Sequence, residues 1–241
     1  MRLLNKTLPS PAENLALDEA LLEAAEAGQL EGGVLRLWES PTYFVILGRS
    51  SQPDVEVNLQ ACRREQIPIY RRPSGGGTVI SGPGCISYAV VLDFQALPHL
   101  RAIDEAHRYV LGRISAALGK HLPNVTHAGT SDLVLTSADG LHKKFSGNAL
   151  RIKRNHFLYH GTLLYDLALD KVEQLLDTPT RTPEYRDGRG HASFITNLPL
   201  AKDVIELTMI RAWEADEPLL DWPVERTREL AREKYKELAN T

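Results

Sequence analysis

Only two cysteines, Cys62 and Cys85, occur in 241 residues, and they form no Cys-x-x-Cys pair. That excludes a zinc ribbon and a thioredoxin-like motif, and it makes a disulfide framework implausible at this size. Long apolar runs are missing too. Nothing approaches the about eighteen uninterrupted apolar residues of a membrane helix. Met1 to Leu8 carries Arg2 and Lys6 with no apolar stretch behind them, and Glu13, Asp18, Glu19, Glu23 and Glu26 break up Pro11 to Gly28. No leader or anchor is therefore expected. Basic charge is not in excess: 28 Lys and Arg against 31 Asp and Glu give −3, unlike a chain built to wrap nucleic acid. The expectation is a cytoplasmic protein with neither nucleic acid nor membrane as partner. Hydrophobic and charged shares of 43% and 24% exclude disorder and fibrous repeats.

What is present reads as one α+β domain over residues 1–241, with no internal repeat and no linker. Leu15, Leu17, Leu21, Leu22 and Ala25 recur at helical spacing after Ser10-Pro11, and Gly28 ends the pattern. Strands are expected at 33–38, 43–48, 67–70, 86–92 and 132–135, and a hairpin at 144–152 and 157–165 turning at Arg154-Asn155. Helices are expected at 58–66, 103–118, 169–176, 202–213 and 224–238. The last is dense in alternating charges and reads as a solvated face. Residues 177–192 combine prolines, glycines and charges, the pattern of a long mobile loop.

Four segments carry chemistry. The densest is Arg71-Arg72-Pro73-Ser74-Gly75-Gly76-Gly77-Thr78-Val79. Three consecutive glycines serve no packing purpose, since each costs about 0.5–1 kcal/mol of extra backbone entropy in a regular element. They let backbone approach a ligand and offer unblocked N–H groups to an anion. The two arginines fork onto phosphate or carboxylate. A tight turn with surface arginines is the plainer account of a bare triple glycine, and no Gly-Lys-Ser/Thr follows to make a P-loop. In Lys143-Lys144-Phe145-Ser146-Gly147-Asn148-Ala149, small residues open space beside a lysine able to hold a phosphate or polarise a carbonyl. Residues 141–160 hold Lys143, Lys144, Arg151, Lys153 and Arg154 without an acid, which favours an anionic ligand or acidic partner. His160-Gly161-Thr162 places a histidine in an apolar strand, more often a satisfied core residue than a catalyst. In Gly129-Thr130-Ser131-Asp132, Asp132 stands at a strand start and suits a metal, a ribose or simply a turn.

Together these segments resemble the lipoate–protein ligase A catalytic domain of the biotin/lipoate ligase superfamily. The family's Arg-Arg-x-Ser-Gly-Gly-Gly-x-Val motif is matched at 71–79, its Lys-x-x-Gly-x-Ala motif at 144–149, and its His-Gly-(Thr/Ser)-Leu-Leu motif at 160–164. Asn14 to Glu19, Gly48-Arg49, Glu56-Val57-Asn58 and Thr196-Asn197-Leu198 extend the likeness to most of 12–198. It implies a mixed, largely antiparallel sheet flanked by helices, like a class II synthetase. It also implies ATP-dependent activation of lipoate or octanoate to acyl-AMP, with Mg2+, and transfer to a lysine of a lipoyl-carrier domain. Lys144 is then the catalytic residue. Arg71, Arg72, Ser74, Gly75, Gly76, Gly77, Thr78, Asp132, Gly147, Ala149, His160, Gly161 and Thr162 bind substrate or nucleotide, Asp132 also facing the metal. Apolar strands beside Trp38 and Tyr88 would house the acyl tail.

Three departures bear on that reading. Ser81-Gly82-Pro83-Gly84-Cys85 replaces the ligase pattern after the glycines and is closer to a sister branch of ATP-independent octanoyl transferases. That branch needs a cysteine thioester. Where some of its members place the cysteine this chain has His127, and Cys85 is better read as a small buried residue at a strand start. Ser131 stands where the family usually has Asn. The small C-terminal domain of single-chain ligases is not expected, so a separate accessory protein is a possible partner. A transferase and a non-catalytic lipoate or carrier binder stay open as alternatives.

Overall fold

The apolar run expected at 86–92 is the strand Cys85–Asp93 in the computed structural model, buried at every position except Asp93. A strand covered on both faces shows no alternation, so its continuous run of apolar residues is its sequence mark. The structure describes residues 1–177 and 182–238.

The elements run β1 (Arg2–Asn5), α1 (Pro11–Glu26), β2 (Val34–Trp38), β3 (Phe44–Leu47), α2 (Pro53–Glu56), α3 (Leu59–Glu65), β4 (Ile69–Arg71), β5 (Val79–Ser81) and β6 (Cys85–Asp93). Then come α4 (Ile103–Leu118), β7 (Val125–Ala128), β8 (Asp132–Thr136), β9 (His142–Ile152) and β10 (His156–Leu164). α5 (Leu169–Leu175), α6 (His191–Phe194), α7 (Lys202–Trp213), β11 (Glu217–Pro218) and α8 (Val224–Glu233) follow. Among the described residues, eight strands form one sheet in the order β11-β1-β2-β6-β10-β9-β8-β7, and β4-β3-β5 form a second. β1 is parallel to β11 and β2, and every other pairing in the large sheet is antiparallel. The expected mixed, largely antiparallel sheet flanked by helices is thus the observed one.

Alternation along β6 sends its two faces to different cores. Ile86, Tyr88 and Val90 pack with Leu111, Ile114, Met209 and Trp213 of α4 and α7. Ala89 and Val91 pack with Leu17, Leu21 and Leu22 of α1. α1 begins in a capping box: Glu13 N–H donates to Ser10 Oγ at 3.2 Å and Ser10 N–H to Glu13 Oε2 at 3.1 Å, an arrangement worth about 1 kcal/mol. The small sheet packs through Val45, Leu47 and Ile80 against Cys62, Val172 and Phe194.

Several expectations need correction. β1, β5, β7 and β11 were not expected, because polar positions such as Asn5, Ser81, Thr126 and Glu217 interrupt them and they lack the apolar run that marks β3. β4 starts at Ile69 rather than 67, since Ile67 N–H is spent on Cys62 O at the end of α3. α8 stops at Glu233, not 238: Tyr235 turns into the core with its hydroxyl on Glu19, and Leu238 N–H donates to Ile69 O. The loop expected over 177–192 lies partly outside the described residues. Its remainder is packed: Glu184–Arg186 form a 3-10 turn and Arg186 is buried against Phe194. Among the described residues, no helix is long and apolar enough to cross a membrane.

Candidate active site

The glycine-rich loop between β4 and β5 is organised by Arg72. This guanidinium is buried and donates to Gly75 O (2.7 Å), Gly77 O (2.8 Å), Ile46 O (3.3 Å) and Ser74 Oγ (3.1 Å). Burial lowers its pKa to about 10, so it stays charged at neutral pH. The carbonyls of Gly75 and Gly77 are thereby occupied, whereas the N–H groups of Gly75, Gly76 and Gly77 have no hydrogen-bond partner among the described residues. A loop that turns free N–H donors of Gly76 and Gly77 toward a cavity has the makings of an anion cradle. Glycine is required where the loop meets β3. Gly76 has φ +86°, and a Cβ on Gly48 would lie 1.9 Å from Gly76 O. At the far end of the loop, Glu56 Oε2 accepts from Thr78 N–H (3.2 Å) and Oγ1 (2.6 Å).

Lys144 and Asp132 face each other from β9 and β8. Lys144 Nζ lies 2.8 Å from Asp132 Oδ1, and Tyr185 donates to Asp132 Oδ2 at 2.8 Å. A bulge sets this up: Leu133 pairs with Ser146 but Val134 with Lys144, so Phe145 is the extra residue and is buried in the core. The spacing in the lysine motif has a direct cause. The lysine folds back over Gly147, where a Cβ would lie 2.9 Å from Nζ.

His160 stands on β10, paired with Ala149 of β9 and Ala89 of β6. Its Nε2 is 2.6 Å from Ser74 Oγ. Burial first and the Arg72 charge second lower its pKa to about 3, so the ring is neutral. Beneath it, Tyr88 donates to Asn148 Oδ1 at 2.5 Å and Asn148 Nδ2 donates to Ser131 O at 2.8 Å. That chain fixes the turn carrying Asp132.

These groups surround one cavity of about 440 Å³, within the range of small-molecule sites. Arg72, Gly76, Gly77 and Thr78 line it from the loop. Asp132, Lys144, Gly147 and Ala149 line it from β8 and β9, and His160, Gly161 and Thr162 from β10. Leu15, Trp38, Ile46 and Tyr88 supply an apolar wall. Three expected site residues do not line it. Arg71 instead braces the turn after β3, donating to Gly48 O (2.8 Å) and Ser51 O (2.7 Å). Ser74 and Gly75 sit behind the loop on Arg72. Asn148, Tyr185 and Glu56, which were not among the expected site residues, brace the turn before Asp132, Asp132 itself and Thr78. For Glu56, the Glu-Val-Asn match was the available signal; for Tyr185, none was.

Cys85 is fully buried in the core of the small sheet and does not line the cavity. Burial pushes its thiol up to about 12, which leaves no thiolate at neutral pH. The Gly-Pro-Gly before it is a packing turn. Gly84 has φ +81°, a Cβ there would meet Asp166 C at 2.1 Å, and its carbonyl accepts from Tyr165 and Asp166 N–H. His127 is exposed on β7. As to a metal, the described residues contain no group of three His, Cys, Asp or Glu side chains placed to hold one, and both Asp132 oxygens are already engaged.

A family model, the lipoyl protein ligase A/B catalytic domain, matches residues 10–211. A putative lipoate-protein ligase A of Schizosaccharomyces pombe is 33% identical over 172 residues, covering 71% of this chain and 43% of that protein. The chain spans less than half the length of this relative and of two mycoplasmal ones. The fold is similar to that of a structure from an archaeal lipoylation system, a bi-partite lipoate protein ligase and its E2 lipoyl domain from Thermoplasma acidophilum. That match has a TM-score of 0.76 at 22% identity over 96% of this chain and 90% of the other. It is also similar to a lipoate-protein ligase A bound with ATP, with a TM-score of 0.72 at 23% identity over 96% and 92%.

Proposed function

The chain belongs to the lipoyl protein ligase A/B catalytic-domain family, and on that premise we propose that it is an ATP-dependent lipoate or octanoate ligase acting on a lipoyl-carrier domain. The observation that carries this reading is the convergence on one cavity of an apolar wall, a lysine and a glycine loop whose Gly76 and Gly77 N–H groups have no partner among the described residues. The relatives named as lipoate-protein ligases and the ATP-bound neighbour support it.

In the first step an acid carboxylate oxygen attacks the α-phosphorus of ATP, and pyrophosphate leaves. Carboxylate and triphosphate repel, so cations must hold them together. Lys144 and Arg72 supply two, and the loop N–H groups add oriented dipoles. In the second step the carrier lysine amine attacks the acyl carbonyl, AMP leaves, and the amine loses its proton to form the amide. In this reading Lys144, which lines the cavity, stabilises the oxygen that gains charge. Leu15, Trp38 and Ile46 would bury the acyl tail and exclude water that would hydrolyse the mixed anhydride. Magnesium would enter as Mg-ATP, held chiefly by phosphate oxygens. The carrier partner is supported by the resemblance and by the neighbour described as a bi-partite lipoate protein ligase and its E2 lipoyl domain. A separate accessory protein belongs to the same proposal.

The placement of Cys85 argues against the thioester-forming transferase reading. The test is the intact mass of an apo lipoyl domain incubated with this protein, octanoate or lipoate, and Mg-ATP. A parallel reaction replaces acid and ATP with octanoyl-carrier protein. An acyl mass gain only with ATP supports the ligase; a gain only from the thioester makes the protein a transferase. Silence in both, with preformed lipoyl-adenylate also unused, leaves a binder.

A further inference from the structure

Ser74 is 1% exposed and does not line the cavity, although its motif neighbours Gly76, Gly77 and Thr78 do. Its hydroxyl has two partners, Arg72 Nε at 3.1 Å and His160 Nε2 at 2.6 Å. A guanidinium only donates, so Ser74 Oγ accepts from Arg72. The hydroxyl proton then has one acceptor within reach among the described residues, His160 Nε2. Were Nε2 protonated, it would donate to an oxygen already accepting from Arg72, and the buried Ser74 proton would have nowhere to go. His160 therefore carries its ring proton on Nδ1. Burial and the adjacent Arg72 charge independently keep the ring from taking a second proton. The ring lines the cavity, and Nδ1 has no protein acceptor among the described residues.

We propose that Ser74 is a positioning residue, which holds His160 as the Nδ1–H tautomer and makes it a donor to an oxyanion in the cavity. The oxyanion's identity as a carboxylate or phosphoryl oxygen rests on the ligase reading; the tautomer does not. The chemistry is that of a neutral donor fixed in place before the ligand arrives. A freely exchanging imidazole would present an acceptor lone pair to the same anion part of the time. Arg72 sets the sense of the chain by donating to Ser74, and the same guanidinium holds Gly75 O and Gly77 O. Loop conformation and histidine tautomer are thus fixed by one side chain.

The test is nitrogen-15 NMR of labelled histidine in the wild-type chain, with Ser74→Ala and Ser74→Thr alongside. A proton on His160 Nδ1, with Nε2 in the unprotonated range, is expected in the wild type and in Ser74→Thr. Ser74→Ala should populate the Nε2–H form. An Nε2–H tautomer in the wild type overturns the proposal even if no variant folds. Titration with the non-reactive probe octanoyl-sulfamoyl-adenosine supplies the second readout. Ser74→Ala and His160→Ala should each weaken binding on the order of 10- to 100-fold, and the double variant no more than His160→Ala alone. Additive losses would mean that Ser74 touches the ligand itself, which overturns the positioning role. Failure of the ATP-dependent acylation assay with the Nδ1–H tautomer intact would sink the ligase reading and leave the tautomer assignment standing.

Discussion

Lys144 Nζ is held 2.8 Å from Asp132 Oδ1, so the proposed catalytic ammonium is already paired with a carboxylate before any anion enters the cavity. An incoming carboxylate or phosphate must share or displace that pairing. Lys144→Ala should lower ATP-dependent acylation of a lipoyl domain by about 100-fold or more, the usual scale for losing one charge-stabilising group. Asp132→Asn replaces an acceptor with an amide whose NH2 faces the ammonium if it takes the Oδ1 position. It should also reduce the rate, with a smaller effect on nucleotide binding. Rates measured by intact mass, together with nucleotide titration, separate the two.

Gly147 and Gly48 should fail in different ways on conversion to alanine. At Gly147 the new Cβ meets the far end of the Lys144 side chain at 2.9 Å, which yields by moving. Gly147→Ala should therefore keep near-normal stability and lose turnover. At Gly48 the Cβ meets the Gly76 carbonyl at 1.9 Å, and backbone cannot swing aside. Gly48→Ala should cost about 1–3 kcal/mol in urea denaturation and weaken nucleotide binding through the displaced loop. Equal behaviour of the two variants would contradict this contrast.

The long helices over 11–26 and 103–118 were legible because their period repeats long enough to be read, and the strand over 85–93 because its apolar run is long. β5 and β7, three and four residues long, were not. At the site, Arg72, Gly76 to Thr78, Lys144, Gly147 and His160 were legible through linked motifs. Tyr185 was not, because its contact with Asp132 spans 53 residues and follows from how the segment after α5 packs. Arg71 shows the converse. Sequence places two arginines together, but only the chain path shows that one is spent on the carbonyls of 48 and 51 while the other organises the glycine loop. Asn148 occupies an unspecified position of the lysine motif, yet it links Tyr88 to the Ser131 carbonyl.

Cys85→Ala should leave ATP-dependent acylation within about twofold of wild type and cost about 1 kcal/mol of stability through the small cavity it leaves. The reason is placement. The thiol is buried in the core of the small sheet, near Ser81 Oγ at 3.7 Å, and raised to about 12 by burial. Iodoacetamide should leave Cys85 unlabelled in the native chain and label it once the chain is unfolded. Acylation that disappears in Cys85→Ala while the fold persists would return the thioester route to consideration.

His160 should contribute a stability term that is lost in acid. Its pKa falls from 6.5 to about 3 on folding, burial being the larger cause and the Arg72 charge the lesser. Between those values the unfolded chain binds a proton that the folded chain refuses, so stability rises with pH across that window. The contribution is fully present above about pH 6.5 and is lost progressively as pH falls toward 3. Urea denaturation at pH 7.5 and pH 5 should show a drop for the wild type that is smaller in His160→Gln, since glutamine has no proton to gain. Carboxylates such as Glu26, Glu39 and Asp139, whose pKa values also lie low, contribute to the acid slope of both proteins and cancel in the comparison. NMR of the same histidine gives the direct reading: its shifts should stay constant from pH 8 to pH 5. A titration centred near pH 6.5 would show that Arg72 and burial do not hold the ring neutral.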